Sequence, residues 1–168
     1  MGYTAGAKKF SKSVMMWLCI AANGSSKSNR CDNRQDSASY QTTVLTPALS
    51  FISHRTSLGR LRGPPIIFMQ DGASSHRSAS TLAFLQRRRV NILPEWLANW
   101  PDCNPVEHCW AWIARRLVGK SFSTEDGLEA AIRQEWDLKP STLIPNLFGS
   151  MVRRLTSVAV ARGAATRY

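Results

Sequence analysis

A chain of 168 residues, 43% of them hydrophobic and six of them tryptophan, can bury one core without disulfides or a structural metal, which sets aside a disordered chain. Lysine and arginine number 22 against 11 aspartates and glutamates, a formal charge of +11, so the surface attracts polyanions, of which nucleic acid is the commonest. No apolar run approaches the roughly 20 residues of a membrane span, and Cys19, Cys31, Cys103 and Cys109 form neither a CxxC pair nor a zinc-like spacing, as expected of reduced thiols.

In chain order, Ser13 to Ala22 read as a strongly apolar strand that ends at the turn "NGSSKSN", with a polar loop running on to Asp36. Lys8, Lys9 and Lys12 followed by "VMMWLCIAA" also have the layout of a secretory leader, and "NGS" at Asn23 that of a glycosylation sequon. A small secreted basic protein is therefore a competing reading, weakened by the lack of a small-x-small cleavage site and of a disulfide framework. From Ser37 to His54, Tyr40, Val44, Leu45, Leu49 and Ile52 recur at helical spacing, with Pro47 expected to kink or break the helix. "RTSLGRLRGPP" reads as a basic loop, and Ile66 to Met69 as a buried strand. Ser75 to Arg89 read as a helix with Ala79, Leu82, Ala83 and Gln86 on one face and three arginines in its last turn, where cations suit the dipole. Val90 to Leu93 is a second short strand, followed by the irregular, proline-rich "PEWLANWPDCNP".

Asn104 as N-cap and Pro105 in the first position then open a helix whose Val106, Trp110, Ile113 and Leu117 form an apolar stripe. Ser123 and Asp126 open another with capping-box logic, running to about Trp136. A last helix from Ser141 to about Arg162 turns Ile144, Leu147, Phe148, Met151, Leu155 and Val158 inward and stops at Gly163. The order of strands and helices is an α/β layout with a helical carboxyl-terminal part. Its basic residues cluster at Lys8, Lys9 and Lys12, at Arg55, Arg60 and Arg62, at Arg87 to Arg89, at Arg115 and Arg116, and at Arg153 and Arg154, which points to a broad basic face.

Two carboxylates arrive at element ends. Asp71 follows the apolar run of "PPIIFMQDGASSH", where a strand can deliver an acid to a sheet edge, although Asp-Gly is also an ordinary turn dipeptide. Glu107 falls in the first turn of the Asn104 helix, where a glutamate can equally reach back to the N-cap amide. Two acids on a basic surface are what two-metal phosphodiester chemistry requires, because Mg²⁺ takes hard carboxylate oxygens and the basic surface holds the nucleic-acid backbone. A zinc site through Cys103, His108 and Cys109 is disfavoured, since adjacent helical residues diverge by about 100°. Asp32 and Asp36 sit in a polar loop after the first strand. His76, near the start of a helix, reads as a hydrogen-bonding or packing residue, and Trp110 and Trp112 as the core and surface of one helix.

These residues resemble a family. "FMQDGASSH" is similar to the Q-D-N-A-x-x-H segment, and "WPDCNPVEHCW" to the S-P-D-L-N-P-I-E-x-x-W segment, of Tc1/mariner-type transposases. The 35 residues from 72 to 106 that separate the two acids are close to the family interval. "VMMWLCIAANG" resembles the family strand V-M-V-W-G-x-I-S-x-x-G, and "SMVRRLTSVAVARGAATRY" its terminal S-M-x-R-R-L-x-x-V-x-x-x-x-G-x-x-T-x-Y. The segments run in family order from about Lys9 to Tyr168, and the first of these two places the apolar run inside the fold rather than in a leader.

The resemblance implies an RNase H-like fold in which three carboxylates hold two Mg²⁺ (or Mn²⁺) ions, with Asp71 the second acid and Glu107 the third. It implies DNA as partner, a nuclear location, and a homo-oligomer as in related transposases, with no membrane association. The first acid would lie on the opening strand, in a segment like F-x-D-E-S, and none of the twelve residues before Ser13 is acidic. The expectation over residues 1–168 is a partial catalytic domain lacking that strand and the helix-turn-helix DNA-reading domains, inactive alone, with a non-catalytic DNA- or RNA-binding remnant as the alternative. Gly72, Leu18, Trp100 and Cys103 depart from the family's Asn, Gly, Ser and Leu, and Leu18 is expected to crowd its strand.

Overall fold

The computed structural model describes residues 12–58, 67–93 and 104–160, apart from the side chains of residues 55–58, 158 and 159. The expectations placed on "RGPP", on Ile66, on residues 94–103 and on Gly163 lie outside the described residues.

The apolar run of residues 14–22 is the outgoing arm of a hairpin. β1 (Met16–Trp17) pairs antiparallel with β4 (Asn29–Arg30), and β2 (Ile20–Ala21) with β3 (Gly24–Ser25). Met16 opposes Arg30 and Trp17 opposes Asn29, whereas Ile20 opposes Ser25 and Ala21 opposes Gly24. Between these pairs the return arm has three residues, 26–28, against two on the outgoing arm, a β-bulge. Residues 24–25 and 29–30 are therefore strand where the sequence suggests a turn and loop. Their polar side chains and the bulge erase the alternation by which a strand is read. Bulging also turns carbonyls out of the ladder, and two of them hold a distant helix: Ser26 accepts from Trp136 Nε1 at 2.9 Å, and Ser28 from the Arg133 guanidinium at 2.6 Å.

Past the hairpin, α1 (Ser37–Ser39) is capped by the Asp36 carboxylate and runs into a π-helical turn, Tyr40–Leu45, before α2 (Thr46–Leu58). The expected disturbance at Pro47 takes this form. A proline ring clashes with the carbonyl four residues before it, and a wider i→i+5 turn moves that carbonyl aside. The Thr46 amide bonds back five residues to the Gln41 carbonyl, which also accepts from the Thr46 hydroxyl at 2.8 Å. Tyr40 and Leu45, five apart, are both buried as a result.

A β-α-β unit comes next. β5 (Ile67–Phe68) leads through α3 (Ser74–Arg77) and α4 (Ala79–Arg87) to β6 (Asn91–Ile92), and the two strands pair in parallel. The Ser78 hydroxyl caps α4 by accepting from the Thr81 amide. α4 buries Thr81, Phe84 and Leu85, not the expected face of Ala79, Leu82, Ala83 and Gln86; Leu82 is 44% exposed. Burying Phe84 and Leu85 removes more apolar area from water than burying two alanines and a leucine. Thr81 tolerates the interior because its hydroxyl donates to the Ser75 carbonyl at 2.8 Å. Tyr40, Leu45, Phe84 and Leu85 make one core cluster, with Val44, Leu49, Phe68, Val90 and Ile92 against it.

α5 (Pro105–Leu117), α6 (Glu125–Asp137), α7 (Leu143–Gly149) and α8 (Met151–Val160) form the carboxyl-terminal part. Leu18 from the hairpin joins Cys109, Ile113, Trp136, Ile144 and Leu147 in the second core cluster, and Val106, Trp110, Trp112 and Leu117 pack on it. Leu18 is accommodated as a member of this core. Trp112, expected at the surface, is half-buried beneath the Arg116 guanidinium. Thr124, one residue later than expected, caps α6 by accepting from Gly127. The single long terminal helix is divided at Ser150, and the break re-phases the residues of α8: Arg154 is buried and Leu155 is 44% exposed, the reverse of the expected stripe. Among the described residues no helix is long and apolar enough to cross a membrane.

Candidate functional site

Asp71 stands just beyond the carboxyl end of β5, the edge at which parallel sheets present ligands. Its Oδ1 accepts from the Ala73 amide at 3.0 Å, an Asx turn, and lies 2.6 Å from His76 Nδ1. Turn residue and edge acid are thus one and the same side chain. The turn occupies Oδ1, while Oδ2 has no protein partner among the described residues and the side chain is 63% exposed. The hydrogen bond from His76, helped by the Ala73 amide, holds the carboxyl below the ordinary aspartate range against an opposing push from partial burial. Gly72 does not adopt a positive φ, so the turn itself does not require glycine where the family pattern has asparagine.

His76 hydrogen-bonds and packs, as its position suggests. Nδ1 faces two acceptors, Asp71 Oδ1 and the Asp71 carbonyl at 3.3 Å, so that nitrogen carries a proton. Its ring stacks on Tyr40 with centroids 3.9 Å apart. Gln70 closes the circuit: its Nε2 donates to the His76 carbonyl at 3.1 Å and its Oε1 accepts from the Tyr40 hydroxyl at 2.7 Å. A carbonyl can only accept, which fixes the orientation of the Gln70 amide and makes the phenol the donor. Burial, with the Asp71 charge second, raises the Tyr40 pKa, so the phenol keeps its proton. Sequence reasoning missed Gln70 and Tyr40 as parts of this site. Gln70 adjoins Asp71 in the family-like segment and could have been found there; Tyr40 reads only as one more apolar position on a helix face.

Glu107 is the third residue of α5 and is exposed. The Asn104 side chain caps the helix by accepting from Val106 at 3.2 Å, but among the described residues the Glu107 carboxylate makes no bond back to the Asn104 amide. The reciprocal half of the capping box is therefore not formed, and the carboxylate is available to another ligand. Asp71 and Glu107 are carried by different core clusters, Asp71 beside Tyr40 and Phe68, Glu107 two residues before the buried Cys109. Among the described residues no three of His, Cys, Asp and Glu converge as metal ligands. Asp36 is engaged as the α1 cap and Asp32 accepts from the Ser39 hydroxyl, so both have structural partners.

Among the described residues no cysteine belongs to a cluster of metal-ligating side chains. Cys19, Cys31 and Cys109 are free, and burial pushes Cys19 and Cys109 up to about 11. Several basic residues are likewise engaged within the protein. Arg30 spans Glu125, Asp126 and Glu129, Arg116 and Lys120 both hold the buried Glu135, and Arg154 turns inward onto His108. Arg87, Arg88 and Arg89 remain exposed at the end of α4.

The donor chemistry suits Mg²⁺ or Mn²⁺, which take hard oxygens: Asp71 Oδ2 and the Glu107 carboxylate are solvent-facing and uncommitted. Among the described residues no third His, Cys, Asp or Glu makes a metal-ligand group with either of them.

No protein-family model matches the sequence. The Tcb1 transposase of Caenorhabditis briggsae is 33% identical over 156 residues, which cover 93% of this chain and 55% of that protein. The Tc1 transposase of Caenorhabditis elegans is 31% identical over the same shares. The chain thus spans about half the length of these curated relatives. In fold it matches the Mos1 transposase catalytic domain, solved with raltegravir and Mg, at a TM-score of 0.75 and 16% identity, over 90% of this chain and 77% of that one. The Mos1 mariner paired-end complex with Mn gives 0.78 and 17%, over 98% and 48%. By sequence the chain is similar to Tc1-type transposases over about half of their length, and its fold is the RNase H-like fold of the Mos1 transposase catalytic domain.

Proposed function

We propose that residues 1–168 are the catalytic-domain portion of a Tc1/mariner-like DNA transposase, with Asp71 and Glu107 as the second and third carboxylates of its divalent-metal site. The observation that carries this reading is Asp71 at the carboxyl edge of the parallel pair, anchored through one oxygen and open at the other. Bound Mg²⁺ or Mn²⁺ would supply activation of the attacking hydroxyl and stabilisation of the leaving oxygen in phosphodiester cleavage and strand transfer. The chain's own part is to present charged oxygens from two rigid elements and to hold DNA by its positive charge. Mos1, the structural relative, has been solved as a paired-end complex and as a strand transfer complex, which supports DNA as partner and a homo-oligomer as the working form. A nuclear location would bring the chain to its DNA.

No catalysis is expected from this chain by itself, because among the described residues Asp32 and Asp36 have structural partners and no third carboxylate joins Asp71 or Glu107. Incubating it with supercoiled plasmid and Mg²⁺ or Mn²⁺, beside Asp71→Ala, tests both halves. Salt-sensitive DNA binding without cleavage is expected, with weak Mn²⁺ binding lost in Asp71→Ala. Cleavage abolished by Asp71→Ala would overturn the inactivity. Mn²⁺ binding unaltered by both Asp71→Ala and Glu107→Ala would leave the alternative, a DNA- or RNA-binding protein without a metal site.

A further inference from the structure

Tyr40 is a buried phenol that the proposed metal chemistry does not use. It nevertheless touches the Asp71 turn twice. Its ring lies flat on His76, and its hydroxyl fixes the Gln70 amide, which in turn grips the His76 main chain. His76, held from both sides, directs its Nδ1 proton at Asp71 Oδ1. With the Ala73 amide and His76 Nδ1 both on Oδ1, Oδ2 is the oxygen left facing out. We infer that Tyr40, Gln70 and His76 form a positioning relay that sets which oxygen of Asp71 a divalent cation meets, with Tyr40 as its foundation in the core.

Two features favour this over simple packing. The Tyr40 hydroxyl is satisfied by a side chain whose other end closes onto the very turn that carries Asp71, where any local carbonyl would have served packing equally well. The π turn, moreover, places Tyr40 and Leu45 together in the same cluster, so that the ring reaching His76 is anchored by Phe84 and Leu85. Partners that orient a metal ligand from behind typically alter metal affinity by about 10–100-fold when removed.

The inference rests on Asp71 being a metal ligand, and the experiment separates the two claims. In the full chain with ¹⁵N-labelled histidine, the His76 Nδ1 proton should give a strongly downfield resonance, identified by its loss in His76→Gln. Tyr40→Leu should abolish or broaden it, as should Asp71→Asn, whereas Leu45→Val, which perturbs the same cluster without touching the relay, should leave it in place. Mn²⁺ affinity, read from the free-ion electron paramagnetic resonance signal, should fall about tenfold in His76→Gln and by roughly two- to tenfold in Tyr40→Phe. A wild type without the downfield proton, or a resonance unchanged in Tyr40→Leu, overturns the relay. So does Mn²⁺ binding that is lost in Asp71→Asn yet unaltered in Tyr40→Phe and His76→Gln. If the resonance behaves as expected but Asp71→Asn binds Mn²⁺ like the wild type, the relay stands as geometry and it is the metal-ligand role of Asp71 that fails.

Discussion

Around Trp136 the core cluster is made of apolar side chains from three helices and the hairpin, and the polar groups buried beside it are held in pairs, the indole nitrogen on the Ser26 carbonyl and Glu135 on Arg116 and Lys120. Around Tyr40 the buried cluster is smaller and leads outward through a polar circuit: a buried phenol, a part-buried glutamine and imidazole, and the exposed Asp71 carboxylate. The first region gains stability from area removed from water, which tolerates local error. The second depends on each hydrogen bond having its partner, since a buried polar group left unpaired costs about 1–3 kcal/mol. Glu107 is carried by the forgiving region and Asp71 by the exacting one, so the chemistry proposed for Asp71 should fail first when the protein is perturbed.

Trp136→Ala should test that contrast hardest. The side chain is fully buried and its loss should cost about 3–5 kcal/mol, measured by denaturant unfolding. A loss under about 1 kcal/mol would mean that the helical cluster is not the main source of stability. Leu45→Ala, fully buried in the other cluster, should cost about 2–5 kcal/mol, and hydrogen exchange should rise in the π turn and α4 before it rises in α5 and α6. Uniform exchange across the chain would erase the distinction between the regions.

A smaller loss, about 1 kcal/mol, is expected of Gly119→Ala. The Lys120 backbone amide donates to the Leu117 carbonyl at 3.0 Å, and Gly119 has φ of +80°, the conformation that a type II turn asks of its third residue. Open space around that position makes strain the sole cost, so a silent Gly119→Ala would show that the α5–α6 connection is loose.

Acid should act most gently and in one direction. Asp71, Glu129 and Glu135 are each held below the ordinary carboxylate range by hydrogen bonds from His76, Arg133 and Lys120 with Arg116. A carboxyl depressed in the folded state contributes stability above its unfolded pKa, near about 4, and loses it as pH falls through the folded value. The denaturant midpoint should therefore hold from about pH 7 to about 5 and decline below about 4. Glu135→Gln should flatten that decline; an unchanged acid limb would remove Glu135 from the account.

Where an element's signal was local, the sequence carried it. Asn104 and Pro105 announce α5, and its stripe packs as its spacing says, because an amphipathic helix on an apolar core needs no other information. Two kinds of feature were not legible. The return arm of the hairpin is polar and bulged, and its pairing is a matter of main-chain hydrogen bonds that side chains do not advertise. The choice between two weakly apolar faces of α4 was decided by what lies opposite, Tyr40 and Leu45, which no window around α4 contains. For the candidate site, Asp71 and Glu107 stand out in the sequence from element ends and family-like segments, whereas Tyr40 lies 30 positions from Gln70 and its bond to it shows only in three dimensions.

The π turn adds a constraint of a different order from composition. A helix with a five-residue hydrogen-bond span carries one residue more than its turns would otherwise need, and that surplus sets the angle between the helical segments on either side of it. Replacing the exposed Thr42 by alanine should pass almost unnoticed. Deleting it would turn Tyr40 by about 100° relative to Leu45 and Ala48. The shortened helix could remain folded while the ring swings off His76. In this stretch the protein can afford to change its letters but not its length.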